Sequence, residues 1–169
     1  MKSPLGIEFA SDSQRILSHS LLAVKPEGGC ALLIGDERQS SSFKEKNILR
    51  VQMIWPCCNV WQINILKLPE YSKEMNTSKN NICSKKNRFA IDPREQLLAQ
   101  RWARKRNWRI IGSAHSHPDG EPIPSLIDDY WTFASGLSII IGESGRIRAW
   151  WMSKKQAVLP EKLAIWELK

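Results

Sequence analysis

Histidine is scarce in this sequence, with three among 169 residues. Several features that would place the chain in a large functional class are missing altogether. The four cysteines, Cys30, Cys57, Cys58 and Cys83, form no C-x-x-C pair. A bridge between the adjacent Cys57 and Cys58 would be strained, so the pattern predicts reduced thiols in a cytoplasmic protein. Cys30 lies in an apolar run and is expected to be core packing. Apolar runs such as Leu137–Ile141 are far too short to span a bilayer. Glu8 interrupts the apolar residues near Lys2, which excludes a secretory signal there. No nucleic-acid-binding signature accompanies the basic run Arg101–Arg109, although the formal charge is +8. The charge therefore reads as a solvated basic surface, suited at most to an acidic partner. Internal repeats are absent, and the length suits one domain.

Strands and helices alternate along the chain. A short strand is expected around Leu5–Ala10. A helix follows from the caps Ser11, Asp12 and Ser13 to about Val24, with Ile16, Leu17, Leu21 and Leu22 on one face. Cys30–Ile34 reads as a buried strand closed by Gly35, and residues 36–47 as a polar loop. Ile48–Trp55 alternates as a strand until Pro56 interrupts it, and Val60–Leu66 is a further strand. Residues 70–87, rich in Lys, Asn and Ser, read as a mobile surface insertion. Asp92-Pro93-Arg94-Glu95 is a helix start with a capping box, opening a helix to about Asn107. Trp108–His115 is then a strand, Ser125 opens a short helix, and Leu137–Ile141 with Arg146–Met152 form a hairpin. Leu163–Leu168 is a last strand. This mixture predicts an α/β (α+β) fold with a mixed sheet flanked by helices.

Two of the three histidines stand together in His115-Ser116-His117-Pro118. On extended backbone, residues two apart face the same side, so both imidazoles can converge on one ion. Ser125 and Asp128 share the first turn of the expected helix. His115, His117 and Asp128 then supply three nitrogen and oxygen ligands, and a fourth position stays open, as in catalytic zinc sites. Ser125 is placed to hydrogen-bond water or an oxyanion there, besides serving as a helix cap.

The full pattern, H-x-H, seven residues, then S-x-x-D, resembles the signature of the JAMM/MPN-domain metalloproteases. Residues 91–118 resemble the helix and strand that precede the motif in bacterial members. Pro26–Gly35 is similar to the family's N-terminal element, so the likeness covers about residues 5–152. The resemblance implies a single JAMM/MPN-like domain holding Zn2+ through His115, His117 and Asp128. Ser125 would stabilise the tetrahedral intermediate. The implied activity is hydrolysis of an amide or isopeptide bond at the C-terminal Gly-Gly tail of a ubiquitin-like or sulfur-carrier protein.

One element of the family pattern is missing. The family's general-base glutamate stands seven residues before the glycine that closes the strand, and seven residues before Gly35 is Gly28. Glu27 lies one position early, which on extended backbone turns it to the opposite face. Gly28 and Gly29 offer a route for the backbone to re-aim it, so Glu27 is the fallback base. Of the other nearby carboxylates, Asp119 and Glu121 are expected to be solvated, and Asp129 points about 100° around its helix from Asp128. A general base contributes roughly 10²- to 10⁴-fold. The chain thus reads either as a zinc hydrolase with impaired activity or as a catalytically silent MPN-type module that binds a protein partner.

Overall fold

The computed structural model describes residues 3–40, 46–61, 84–86, 88–125, 128, 136–153 and 159–167. In chain order the elements are β1 (Gly6–Phe9), α1 (Ser13–Leu22), β2 (Cys30–Gln39), β3 (Asn47–Cys57), α2 (Pro93–Arg104), β4 (Arg109–Ser116), β5 (Gly136–Ile141), β6 (Ile147–Met152) and β7 (Glu161–Glu167). The strands join in the order β1-β3-β2-β4-β5-β6-β7, and β7 returns to pair with β1, so the sheet closes. Both parallel and antiparallel pairs occur, as in β4 with β5 and β2 with β4. No helix among the described residues is long and apolar enough to cross a membrane.

The two faces of β2 carry separate cores. Ala31 and Leu33 pack with Leu17 and Leu21 of α1 in the larger cluster. Leu32 and Ile34 point the other way, onto Ala99 and Ala103 of α2. A strand buried on both faces reads as a continuous apolar run, which is why Cys30–Ile34 lacks alternation. Trp55, Trp102 and Trp108 pack at the rim of the α2 cluster, with ring centroids 5.9 Å and 6.1 Å apart for successive pairs.

Several sequence expectations change. β2 continues through Gln39 rather than turning into a loop at residue 36. Its outer half is held by charge pairs in place of apolar side chains: Asp36 accepts from Arg50 at 2.6 and 2.8 Å, Glu37 pairs with Arg109, and Arg38 pairs with the buried Glu8. Pro56 does not interrupt β3, which runs to Cys57 opposite Cys30. β1 covers β3 only at Ile48–Val51, so the edge beside Pro56 has no β1 neighbour and the missing N–H breaks no bond to β1. Glu95 does not complete a capping box. Asp92 caps α2 by accepting from the Arg94 N–H at 2.8 Å, while Glu95 accepts from the Trp55 indole at 2.9 Å. Val60 and Trp61 lie in no strand. The rest of the strand expected at 60–66, most of the 70–87 insertion and most of the helix expected at Ser125 fall outside the described residues.

Gly35 sits where the register of β2 against β3 shifts by one residue. A Cβ built there would lie 1.8 Å from the Arg50 carbonyl oxygen. Gly35→Ala is therefore expected to destabilise the fold by about 1–3 kcal/mol, the usual range for overpacking. Urea unfolding beside the parent chain measures it, and an unchanged midpoint would contradict the close approach.

Candidate metal centre

The site lies where β4 runs out. Cys30 of β2 pairs with His115 of β4, and Ser116 N–H donates to the Gly29 carbonyl at 3.0 Å, extending the register one residue. Ser116 also ties the neighbouring segments together: its hydroxyl accepts from Gly29 N–H at 2.8 Å and donates to the Leu21 carbonyl at 3.3 Å. The chain beyond is pinned to the β5–β6 hairpin. His117 N–H donates to the Ile141 carbonyl at 2.8 Å, and the Trp150 indole donates to the Pro122 carbonyl at 3.0 Å. These contacts carry the chain back from His117 so that Asp128 meets the two histidines.

His115, His117 and Asp128 form a group able to hold a metal ion. The two imidazole Nε2 atoms stand 3.1 Å apart, and Asp128 oxygens lie 3.4 Å from His115 Nε2 and 3.7 Å from His117 Nε2. Donors about 2.0–2.1 Å from a tetrahedral ion are separated by roughly 3.3 Å, so the spacing fits. The outward nitrogens differ. His117 Nδ1 lies 2.9 Å from the Glu121 carbonyl, which makes it the protonated nitrogen and leaves the Nε2 lone pair for an ion. His115 Nδ1 is buried with no hydrogen-bond partner among the described residues. Its ring instead stacks on Phe89, with centroids 4.6 Å apart and planes inclined by 21°.

Ser125 and Asp128 form a reciprocal cap. Asp128 Oδ2 accepts from both the N–H and the hydroxyl of Ser125 at 2.7 Å, and Asp128 N–H donates to the Ser125 hydroxyl at 3.3 Å. A hydroxyl has one proton, and here it goes to Asp128. In this geometry the Ser125 hydroxyl orients Asp128, and engaging an oxyanion would require that proton to be released.

Burial drives the His115 imidazole down to about 4, helped by its neighbour His117 and opposed by Asp128. Burial also acts against a charged His117, but hydrogen bonds to Asp128 and to the Glu121 carbonyl outweigh it and raise that group. For Asp128, burial is overcome by His117, His115 and Ser125, and the carboxyl is held well below the usual range. Of the two imidazoles, His117 is the one whose protonated form its surroundings favour.

Gly28 is buried. By the two-residue alternation from Cys30 it falls on the face that carries His115. Its N–H donates to the Lys85 carbonyl at 2.8 Å. A Cβ there would lie 3.2 Å from the Lys85 oxygen and 3.3 Å from the Ser116 oxygen. Glu27 is half exposed and pairs with Lys85 at 3.7 Å, outside the ligand group. Asp119 and Glu121 are exposed, and Glu121 pairs with Arg146 at 3.3 Å. Asp129 lies outside the described residues.

The family model described as prokaryotic homologs of the JAB domain matches residues 10–153. The chain belongs to this family. The JAB-type chain is 32% identical over 81 residues to a desampylase of Pyrococcus furiosus. That alignment covers 46% of this chain and 56% of the relative, so the chain spans about half the length of the curated relative it matches. A solution structure from Desulfitobacterium hafniense shares the fold, with a TM-score of 0.68 at 22% identity over 96% of this chain and 93% of that one. A second, from Salinibacter ruber, gives 0.59 at 17% identity over 96% and 92%.

Sequence reasoning missed Ser116 and Phe89. Ser116 was legible only as the residue between two histidines, and no spacing rule marks Phe89.

A metal ion must displace the proton from His117. Metal affinity is expected to fall as pH drops through the raised His117 value, and more steeply below about 4, where His115 also takes a proton. Titration calorimetry in buffers of different ionisation enthalpy measures the released proton. A pH-independent affinity between 5 and 8 would contradict this.

Proposed function

We propose that this JAB-type chain is a zinc-dependent hydrolase of the isopeptidase type, acting on the C-terminal tail of a ubiquitin-like or sulfur-carrier protein. The observation that carries the reading is the three-ligand group His115, His117 and Asp128, all nitrogen and oxygen donors at tetrahedral spacing. Its likeness to an enzyme named desampylase supports the substrate class. Zinc bound there supplies a Lewis acid that polarises a carbonyl and acidifies water. His115 and Asp128 are the more enclosed ligands, with side chains 4% and 16% exposed, and His117 faces solvent more, at 24%. Ser125 keeps the Asp128 carboxylate aimed.

The second reading is a zinc-binding module that holds a protein partner without cutting it. It is favoured by Gly28, where the expected carboxylate is replaced by a buried glycine under the Lys85 carbonyl.

One substitution separates the two readings. Gly28 is not among the residues with positive φ, so the backbone accepts a side chain. The neighbouring carbonyls must give by a few tenths of an ångström. Gly28→Glu is expected to raise zinc-dependent cleavage of a Gly-Gly-tailed carrier fusion, by up to roughly 10²- to 10⁴-fold. Unchanged cleavage in a folded, zinc-loaded variant would remove position 28 as the base position. Asp128→Asn is expected to lose zinc and cleavage together. Metal analysis of protein purified without chelators tests the ligand set, and a parent chain that takes up no zinc would overturn the reading.

A further inference from the structure

The two histidines are held in unlike ways. His117 follows the usual arrangement of a metal ligand, its outer nitrogen against a carbonyl. His115 has no such partner among the described residues, although its ring is the more buried. A ring that must present Nε2 in one direction still needs something to fix its rotation. Phe89 lies stacked on its face, while the His117 ring sits tilted beside it with centroids 4.9 Å apart.

The segment around Phe89 is tied down by the Val60 N–H, which donates to the Ala90 carbonyl at 3.0 Å, and by the Asn59 side chain. The Asn59 amide nitrogen donates to the Arg88 carbonyl at 2.8 Å, the Gly28 carbonyl at 3.0 Å and the Lys85 carbonyl at 3.3 Å. Its oxygen accepts from Trp61 N–H at 3.0 Å and Ala90 N–H at 3.1 Å. Three carbonyls on one side and two N–H groups on the other fix which end of the amide is which. Two protons serve three acceptors, and both oxygen lone pairs are used, so the amide is saturated. Its partners Arg88 and Ala90 bracket Phe89, and its bond to Gly28 links this segment to the residues that lead into β2.

We infer that Asn59 and Phe89 are positioning residues for the metal ligand His115: Asn59 fixes the backbone around Phe89, and the Phe89 ring sets the plane of the imidazole. The inference rests on reading His115 as a ligand. It adds that ring stacking does for this histidine what a hydrogen-bond acceptor does for His117. Neither residue touches the ion, so their effect is on the geometry and affinity of the site. Losing an outer partner of a metal ligand typically costs 10- to 100-fold in affinity.

The test measures binding rather than cleavage. Cobalt(II) and zinc affinities are determined by chelator competition for the parent chain, Phe89→Leu, Phe89→Tyr and Asn59→Asp. Melting of each metal-free protein is followed in parallel. Leucine keeps apolar bulk without a flat ring, whereas tyrosine keeps the ring. Aspartate keeps the two accepted bonds and loses the three donated ones. Phe89→Leu and Asn59→Asp are expected to weaken both metals about 10- to 100-fold and to alter the cobalt visible spectrum. Phe89→Tyr is expected to match the parent chain. Parent-like affinity and spectrum in Phe89→Leu would overturn the inference and leave the ligand set standing. A parent chain that binds neither metal would overturn the ligand set, and the inference with it. Loss of affinity in Phe89→Tyr equal to that in Phe89→Leu would show that packing volume, not the ring plane, matters, and would also overturn it.

Discussion

The antiparallel pairing of β2 with β4, ending at Cys30 and His115, is the contact on which the site depends. It places His115 at a buried position near the end of a strand with a neighbour on either side. It puts Ser116 on the opposite face, where its hydroxyl joins Gly29 to the end of α1. It also decides that residue 28, not residue 27, shares a face with the histidines. A register slip of one residue would exchange these faces and disperse the group.

The mixture of bonds around the group explains how such a site is tolerated in a closed sheet. His115 carries little charge of its own because burial opposes protonation. Asp128 carries a full charge, offset by His117 and by two bonds from Ser125. The cost of holding a carboxylate beside buried imidazoles is met by local hydrogen bonds.

The convergence of His115, His117 and Asp128 was legible because its logic is local. His115 and His117 are related by strand alternation, and Ser125 and Asp128 by one helical turn. The two-faced burial of β2 was likewise visible in Cys30–Ile34. The outer half of β2 was hidden, because Asp36, Glu37 and Arg38 are held by Arg50, Arg109 and Glu8 from other strands. Glu95 misled for a related reason. Three residues after Asp92 it fits a capping box, but the Trp55 indole from another strand takes its carboxylate. Asn59 and Phe89 were invisible, since one works through backbone groups of distant residues and the other by stacking on a ring 26 positions later.

The uneven enclosure of the three side chains has a consequence for exchange. His115 is roofed by Phe89 and is 4% exposed, against 16% for Asp128 and 24% for His117. An ion held by all three would have its bond to the enclosed ring farthest from water, and its rate of exchange would depend on how firmly that roof is held.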